Sequence, residues 1–216
     1  MKFSKMGLVL LSFGSLYAVS ALSTVDALTL SNTNSTNNDN STINDNSTML
    51  DINQGRTTIS ADIKLANLND DIHSIWTLDN GSWYGYSTNS TVRDEISENY
   101  QLLDSDISAS KATIVYALND TQLEITIPRN PEDVTRLYPN GLSFHGANGD
   151  YLSPYNITCS VDGSVVTSVM KVTGDRVSLY LNGDKEIDYE KYNDMYSIYE
   201  SDAYFVLCDR NIEGDN

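Results

Sequence analysis

The chain has 216 residues, 30 acidic against 13 basic side chains and a formal charge of −17 at pH 7. That balance argues against nucleic acid and anionic membranes as partners, because both are held by clustered Lys and Arg. It favours a basic partner, a cation or plain solubility, and no adjacent pair of basic residues offers a dibasic cleavage site.

Residues 1–21 read as a secretory signal. Lys2 and Lys5 precede an apolar run from Gly7 to Ala18, and Val19-Ser20-Ala21 supplies small residues for a signal peptidase. Val25-Asp26-Ala27 is a second cut, and an uncleaved membrane anchor is the alternative. The run is short for a bilayer span, and no later stretch reaches that length. The polar end, CDRNIEGDN, carries neither a lipid-anchor tail nor an ER-retention tetrapeptide. The expected product is secreted and extracellular, and losing Lys2 and Lys5 takes its charge from −17 to −19.

Residues 22–54 follow as an Asn/Ser/Thr-rich segment. Its centre, residues 31–48, holds one apolar side chain, Ile43, and cannot offset its ordering entropy, so a disordered stalk is expected. It carries three N-glycosylation acceptors, Asn34, Asn40 and Asn46; Asn80, Asn89, Asn119 and Asn156 add four more. Seven such sites behind a signal predict a glycosylated surface with each asparagine exposed. In the oxidising compartment this implies, Cys159 and Cys208, the two cysteines of the chain, are expected to form one disulfide.

Residues 55–212 change character. TISADIKLA, HSIWTL, ATIVYAL, QLEITI, NITCSV, SVVTSVMKV, DRVSLYL and YFVLC alternate or run apolar at strand length. Turn signals separate them at Asp79-Asn80-Gly81, Asn119-Asp120, Asn140-Gly141, Thr173-Gly174-Asp175 and Asn182-Gly183. Only 92–103 and 132–137 suggest short helices. The pattern predicts an all-β fold, an antiparallel β-sandwich, built on one core or on two subdomains, 55–147 and 148–212.

The stretch LNGDKEIDYEKY, 181–192, has the acidic look of a calcium loop. Placing Ile187 and Asp188 at loop positions 8 and 9 leaves Tyr180 at position 1, Lys185 at 6 and Lys191 at 12. The first ligand, the glycine turn and the bidentate glutamate therefore all fail. With the strand periodicity of DRVSLYL before it, Asn182-Gly183 reads as a hairpin turn.

Cys159 in NITCSV, the VSLYLNGDKEI segment and MYSIYESDAYFVLC, where Asp202 stands six residues before Cys208, form a pattern over about 55 residues. It resembles the B, C, E and F strands of an immunoglobulin-like domain. The resemblance implies a Greek-key sandwich whose B and F cysteines bridge the sheets, with Ile198 as a core residue of strand E. The family's strand C tryptophan is Leu179 here, its tyrosine two before the second cysteine is Val206, and its corner glycine is Tyr204. An unrelated Greek-key sandwich with a disulfide fits the same residues.

Catalytic signals are sparse. Two histidines, His73 and His145, stand outside any metal-ligand spacing, and no nucleophile elbow, phosphate loop or dinucleotide fingerprint occurs. His145, near Asp150, is either a loop base or a strand-end residue. Asp104, Asp106 and Asp150 are the acids a glycosidase would draw on, and Asp104 with Asp106 could face a cation or only solvent. No catalytic residue, metal or cofactor is assigned. The aromatics of IWTLDNGSWYGYS point elsewhere: Trp76, Trp83, Tyr84 and Tyr86 gather around Asn80-Gly81. Trp and Tyr dominate protein interfaces and stack on sugars. The expected function is binding of a protein or a cell-surface glycan; a secreted hydrolase or a toxin acting on other cells are the alternatives.

Overall fold

The computed structural model describes residues 47–128, 136–183 and 192–210. Residues 1–46, with Asn34, Asn40 and Asn46, lie outside the described residues, as do 132–135 of the second expected helix and 184–191 of the acidic loop.

The chain forms strands β1 (Ser47–Ile52), β2 (Gly55–Ile59), β3 (Ile72–Asp79), β4 (Ser82–Tyr86), β5 (Gln101–Leu102) and β6 (Thr113–Ala117). They are followed by β7 (Thr121–Thr126), β8 (Gly141–Gly146), β9 (Ser164–Thr173), β10 (Arg176–Leu181), β11 (Tyr192–Asp194) and β12 (Ala203–Arg210). One α-helix, α1 (Ser90–Asn99), connects β4 to β5. Two five-stranded sheets result, ordered β2-β6-β3-β4-β5 and β11-β10-β9-β12-β8, and β1 pairs with β7 in a separate ribbon. The expected all-β class is what folds. Pairing is antiparallel except at β4–β5 and β10–β11, where it is parallel.

Strand alternation sorts the side chains into layers. On β3 and β6, Ile75, Val115 and Ala117 face the β1–β7 ribbon and pack with Leu50, Ile52, Leu123 and Ile125. Leu78 and Ile114 face the other way, toward Leu142, Phe144, Met170 and Phe205 of the second sheet. That second sheet alternates in turn: Tyr204, Val206 and Cys208 of β12 face outward into a core completed by Tyr138, Ala147, Met195 and Ile198. The β3–β4 hairpin turns on Asn80 (φ 48°) and Gly81 (φ 77°). Both central residues are left-handed, which is why Asn-Gly signals a two-residue hairpin.

Several sequence expectations are corrected. Order begins within the 22–54 tract: β1 occupies Ser47–Ile52, because Leu50 and Ile52 have an apolar ribbon partner to bury against. NITCSV forms no strand. Its first residue ends a short 3-10 turn, Pro154–Asn156, and Ser160 N–H donates to the Tyr138 carbonyl instead of to a ladder. The chain after Asn182-Gly183, residues 184–191, lies outside the described residues, and the next described strand, β11, runs parallel to β10. β8, which ends just before residue 147, pairs with β12, its one sheet neighbour among the described residues. The helix expected over 92–103 is present as Ser90–Asn99, its last residues turning into β5.

Cys159 and Cys208 are bonded, 49 residues apart in sequence. The bond ties β12 to a loop packed on its outer face, not strand to strand across two sheets. Closing so long a loop stabilises the fold by about 4 kcal/mol in the chain-entropy model. The Cys159→Ala/Cys208→Ala variant should accordingly unfold in urea with a stability lower by about that amount.

Candidate functional site

A cleft of about 260 Å³ opens where α1 lies over the first sheet and the second sheet approaches it. Trp76 of β3, Trp83 of β4, Tyr116 of β6 and Tyr100 beyond α1 supply rings from one side; Leu142 and Phe205 close it from the other. Its polar groups are few: Arg56, His73, Ser74 and Glu95.

Local sequence explains how each wall is held. Asn89 caps α1, its side-chain oxygen accepting from Thr91 N–H at 2.9 Å and Val92 N–H at 3.4 Å. The helix then presents Val92, Glu95, Ile96 and Tyr100, a spacing that puts all four on one face. Ile96 is its buried anchor, and its carbonyl accepts from Tyr100 N–H at 2.9 Å. Opposite, Trp76 fits only because β4 carries Gly85: a Cβ there would stand 2.8 Å from the indole and 3.0 Å from Ile96. Trp76 donates through Nε1 to Ser74 Oγ at 3.0 Å and meets the Tyr100 ring edge-on at 5.1 Å.

The rest of the lining is a ring stack that crosses between the sheets. Trp83 lies 6.0 Å from Phe144, which stacks on Phe205 at 4.3 Å. Trp83 Nε1 is buried without a hydrogen-bond partner, a desolvation cost of about 1–3 kcal/mol that the burial of the large ring offsets. His73 meets the Tyr116 ring edge-on at 5.1 Å, and the Arg56 guanidinium stands 5.8 Å over the same ring. Burial lowers the His73 pKa, and the Glu95 carboxylate opposes the shift.

Of the four aromatics singled out in the sequence, the fold brings Trp76 and Trp83 together. Tyr84 and Tyr86 alternate to the opposite face of β4, where Tyr86 packs on the core beneath the β1–β7 ribbon and Arg93 lies 5.5 Å from its ring. Sequence reasoning missed Tyr100, Tyr116 and Phe205. They lie on separate elements, and no local spacing marks them as neighbours.

The acids and the second histidine go elsewhere. Asp104 and Asp106 are exposed, and Asp106 accepts from Leu65 N–H at 2.9 Å. Asp150 pairs with Arg136 at 2.7 Å. His145 is a β8 residue, half-buried, 2.8 Å from Ser143 Oγ and edge-on to Tyr138 at 4.6 Å. Burial, with the Arg136 charge adding to it, pushes its pKa down to about 4. No group of three His, Cys, Asp or Glu suited to a metal occurs among the described residues. The asparagines of the four described acceptor sites, Asn80, Asn89, Asn119 and Asn156, are all exposed. None of them lines the cleft, whereas Asn156 lines a second, more polar hollow of about 290 Å³ beside Arg136 and Cys159.

No protein-family model, curated protein or solved structure matches the chain.

Two consequences are measurable. Gly85→Ala should displace the Trp76 ring, shift the tryptophan emission of the folded protein and lower stability by about 1–3 kcal/mol. His145 stays neutral in the fold until about pH 4 but protonates in the unfolded chain near 6.5. Its contribution is therefore complete above pH 6.5 and lost as pH falls toward 4, by about 2–3 kcal/mol. The fall in unfolding free energy between pH 6.5 and 4 should be shallower by that amount in His145→Phe.

Proposed function

We propose that this chain is a secreted, N-glycosylated binding protein whose cleft receives an apolar, ring-bearing or branched group of a protein partner. The observation that supports this reading most is the composition of the cleft wall. Five aromatic rings and four aliphatic side chains surround it, with charge confined to Arg56 and Glu95 beside the polar His73 and Ser74. A sugar needs a dense set of hydrogen-bond partners beside its stacking ring, and this wall offers few; an apolar group gains from burial alone. The glycosylation geometry agrees, because none of the four described acceptor asparagines stands on the wall. Binding of a cell-surface glycan is the second form of the reading, with Arg56, His73 and the exposed Glu95 as its polar partners. Of the immunoglobulin-like resemblance, only the coarse form enters the proposal, a sandwich with a disulfide.

A hydrolase reading has one observation on its side. Ser74 Oγ lies 3.3 Å from His73 Nδ1, and Glu95 lines the same cleft. Against it, Ser74 is buried and already accepts from Trp76, and no hydrogen bond joins His73 to Glu95 among the described residues. An acyl-transfer site needs a base aligned by its acid and an accessible nucleophile.

The test follows from the chain having two tryptophans, both on the cleft. Tryptophan emission therefore reports occupancy directly. Titration with small aromatic compounds such as indole-free phenyl derivatives should quench or shift it, and Phe205→Ala should weaken the response at least about threefold through lost ring contact. A response to oligosaccharides alone would replace the apolar reading with the glycan one. Silence to both would remove the cleft as the binding site, and cleavage of an aryl ester lost in Ser74→Ala would establish the hydrolase.

A further inference from the structure

We propose that the chain carries a second recognition surface, distinct from the cleft, at which Tyr151, Tyr196 and Tyr199 dock a basic, Arg- or Lys-bearing segment of a partner protein. The three tyrosines are 62%, 66% and 57% exposed, among the most exposed large side chains of the molecule. They lie on the loops that cover the outer face of the second sheet, and none lines the cleft.

These rings are held in place. Leu152 and Ile198 exchange two backbone hydrogen bonds of 2.9 Å each, which fixes the two tyrosine-bearing segments side by side. On that support the Tyr151 and Tyr199 rings meet edge-on at 5.7 Å, and the Tyr151 hydroxyl pairs with Ser197 Oγ. Tyr196 donates through its hydroxyl to Asp194 at 2.7 Å. Ordered tyrosines offer large contact area at little further entropy cost, which is why binding surfaces favour them.

The charge around them selects the partner. Asp150, paired with Arg136, adjoins Tyr151; the exposed Glu200 adjoins Tyr199; and Asp194 accepts from Tyr196. The molecule itself shows the chemistry: Lys171 Nζ lies 5.1 Å from the centre of the Tyr199 ring and 2.6 Å from the Asp202 carboxylate. Ring face and carboxylate together grip an ammonium group. Around the tyrosines the acids outnumber the cations, four (Asp150, Asp194, Glu200 and Asp202) against two (Arg136 and Lys171), which makes the surface complementary to cationic side chains and repellent to acidic ones.

The test uses a fluorescein-labelled peptide of ten alternating Arg and Gly residues, titrated with the secreted protein and followed by anisotropy at low ionic strength. Tyr151→Ala/Tyr199→Ala leaves the net charge unchanged and should weaken binding about fivefold or more. Tyr199→Phe, which keeps the ring, should bind like the native protein. Asp162→Asn removes one exposed charge in the turn before β9, whose first residue, Ser164, lies about 23 Å from Lys171 at strand rise, and should change affinity less than twofold. Equal binding by the native protein and the double alanine variant would overturn the proposal. So would a loss in Asp162→Asn as large as that in the double variant, which would reduce the effect to general charge attraction. An unchanged thermal midpoint in the double variant confirms that its surface, not its fold, was altered.

Discussion

The packing of one sheet on the other depends on the hydroxyl of Ser60. This residue follows β2, is wholly buried, donates to the Ala109 carbonyl at 2.7 Å and accepts from Asn148 N–H at 2.9 Å. Its own N–H donates to the Ser201 carbonyl at 2.7 Å. Three segments far apart in sequence thus meet on one serine, and Gly146 has to be glycine because a Cβ there would collide with it. Thr57 and Thr58 continue the device along β2. Thr58 Oγ1 both donates to the Val172 carbonyl and accepts from Val172 N–H, and Thr57 Oγ1 accepts from Gly174 N–H. Where one strand crosses another sheet no ladder can form, so short hydroxyl side chains satisfy the buried backbone groups that would otherwise be orphaned.

With the sheets fixed there, the space between them is filled by rings. Phe144, Phe205 and Trp83 occupy most of it, and the cleft is the part they leave open beneath α1. Its two tryptophans come from one hairpin, but its remaining rings come from a helix end and two further strands. The cleft is therefore a product of topology, sensitive to how the sheets are spaced. The tyrosine surface is the reverse case. Tyr196 and Tyr199 are close in sequence, exposed, and bordered by acids, and the fold brings Tyr151 to Tyr199.

What the sequence revealed follows the same division. The strand-length apolar runs HSIWTL, ATIVYAL and SVVTSVMKV mark β3, β6 and β9 because each lies between two packed layers, so that both faces carry apolar side chains. Asn80-Gly81 marks its hairpin because only such residues accept two left-handed positions. NITCSV misleads: it alternates as a strand does, yet a covalent bond at Cys159 and a side-chain acceptor for Tyr138 N–H at Ser160 hold it as a loop. β1 was hidden because its few apolar residues follow a long polar tract, and their partner strand β7 lies some 70 residues on. Parallel β11 could not be read from an apparent hairpin signal. Pairing across long separations leaves no local trace, and Tyr100, Tyr116 and Phe205 were lost to the site reading for that reason.

The short strands β5 and β11, two and three residues long, each end a sheet in parallel register. Stubs of this length offer almost no template for another chain to extend by strand addition. β2, the opposite edge of the first sheet, gives its end N–H groups to Gly174 and, just beyond it, to Ser201. Of the four edges of the two large sheets, β8 alone, among the described residues, is both long and not committed in this way. At high local concentration the described sheets are thereby shielded from cross-chain β-pairing on three sides, and Gly141–Gly146 is the edge at which a domain-swapped or fibrillar association of them would begin.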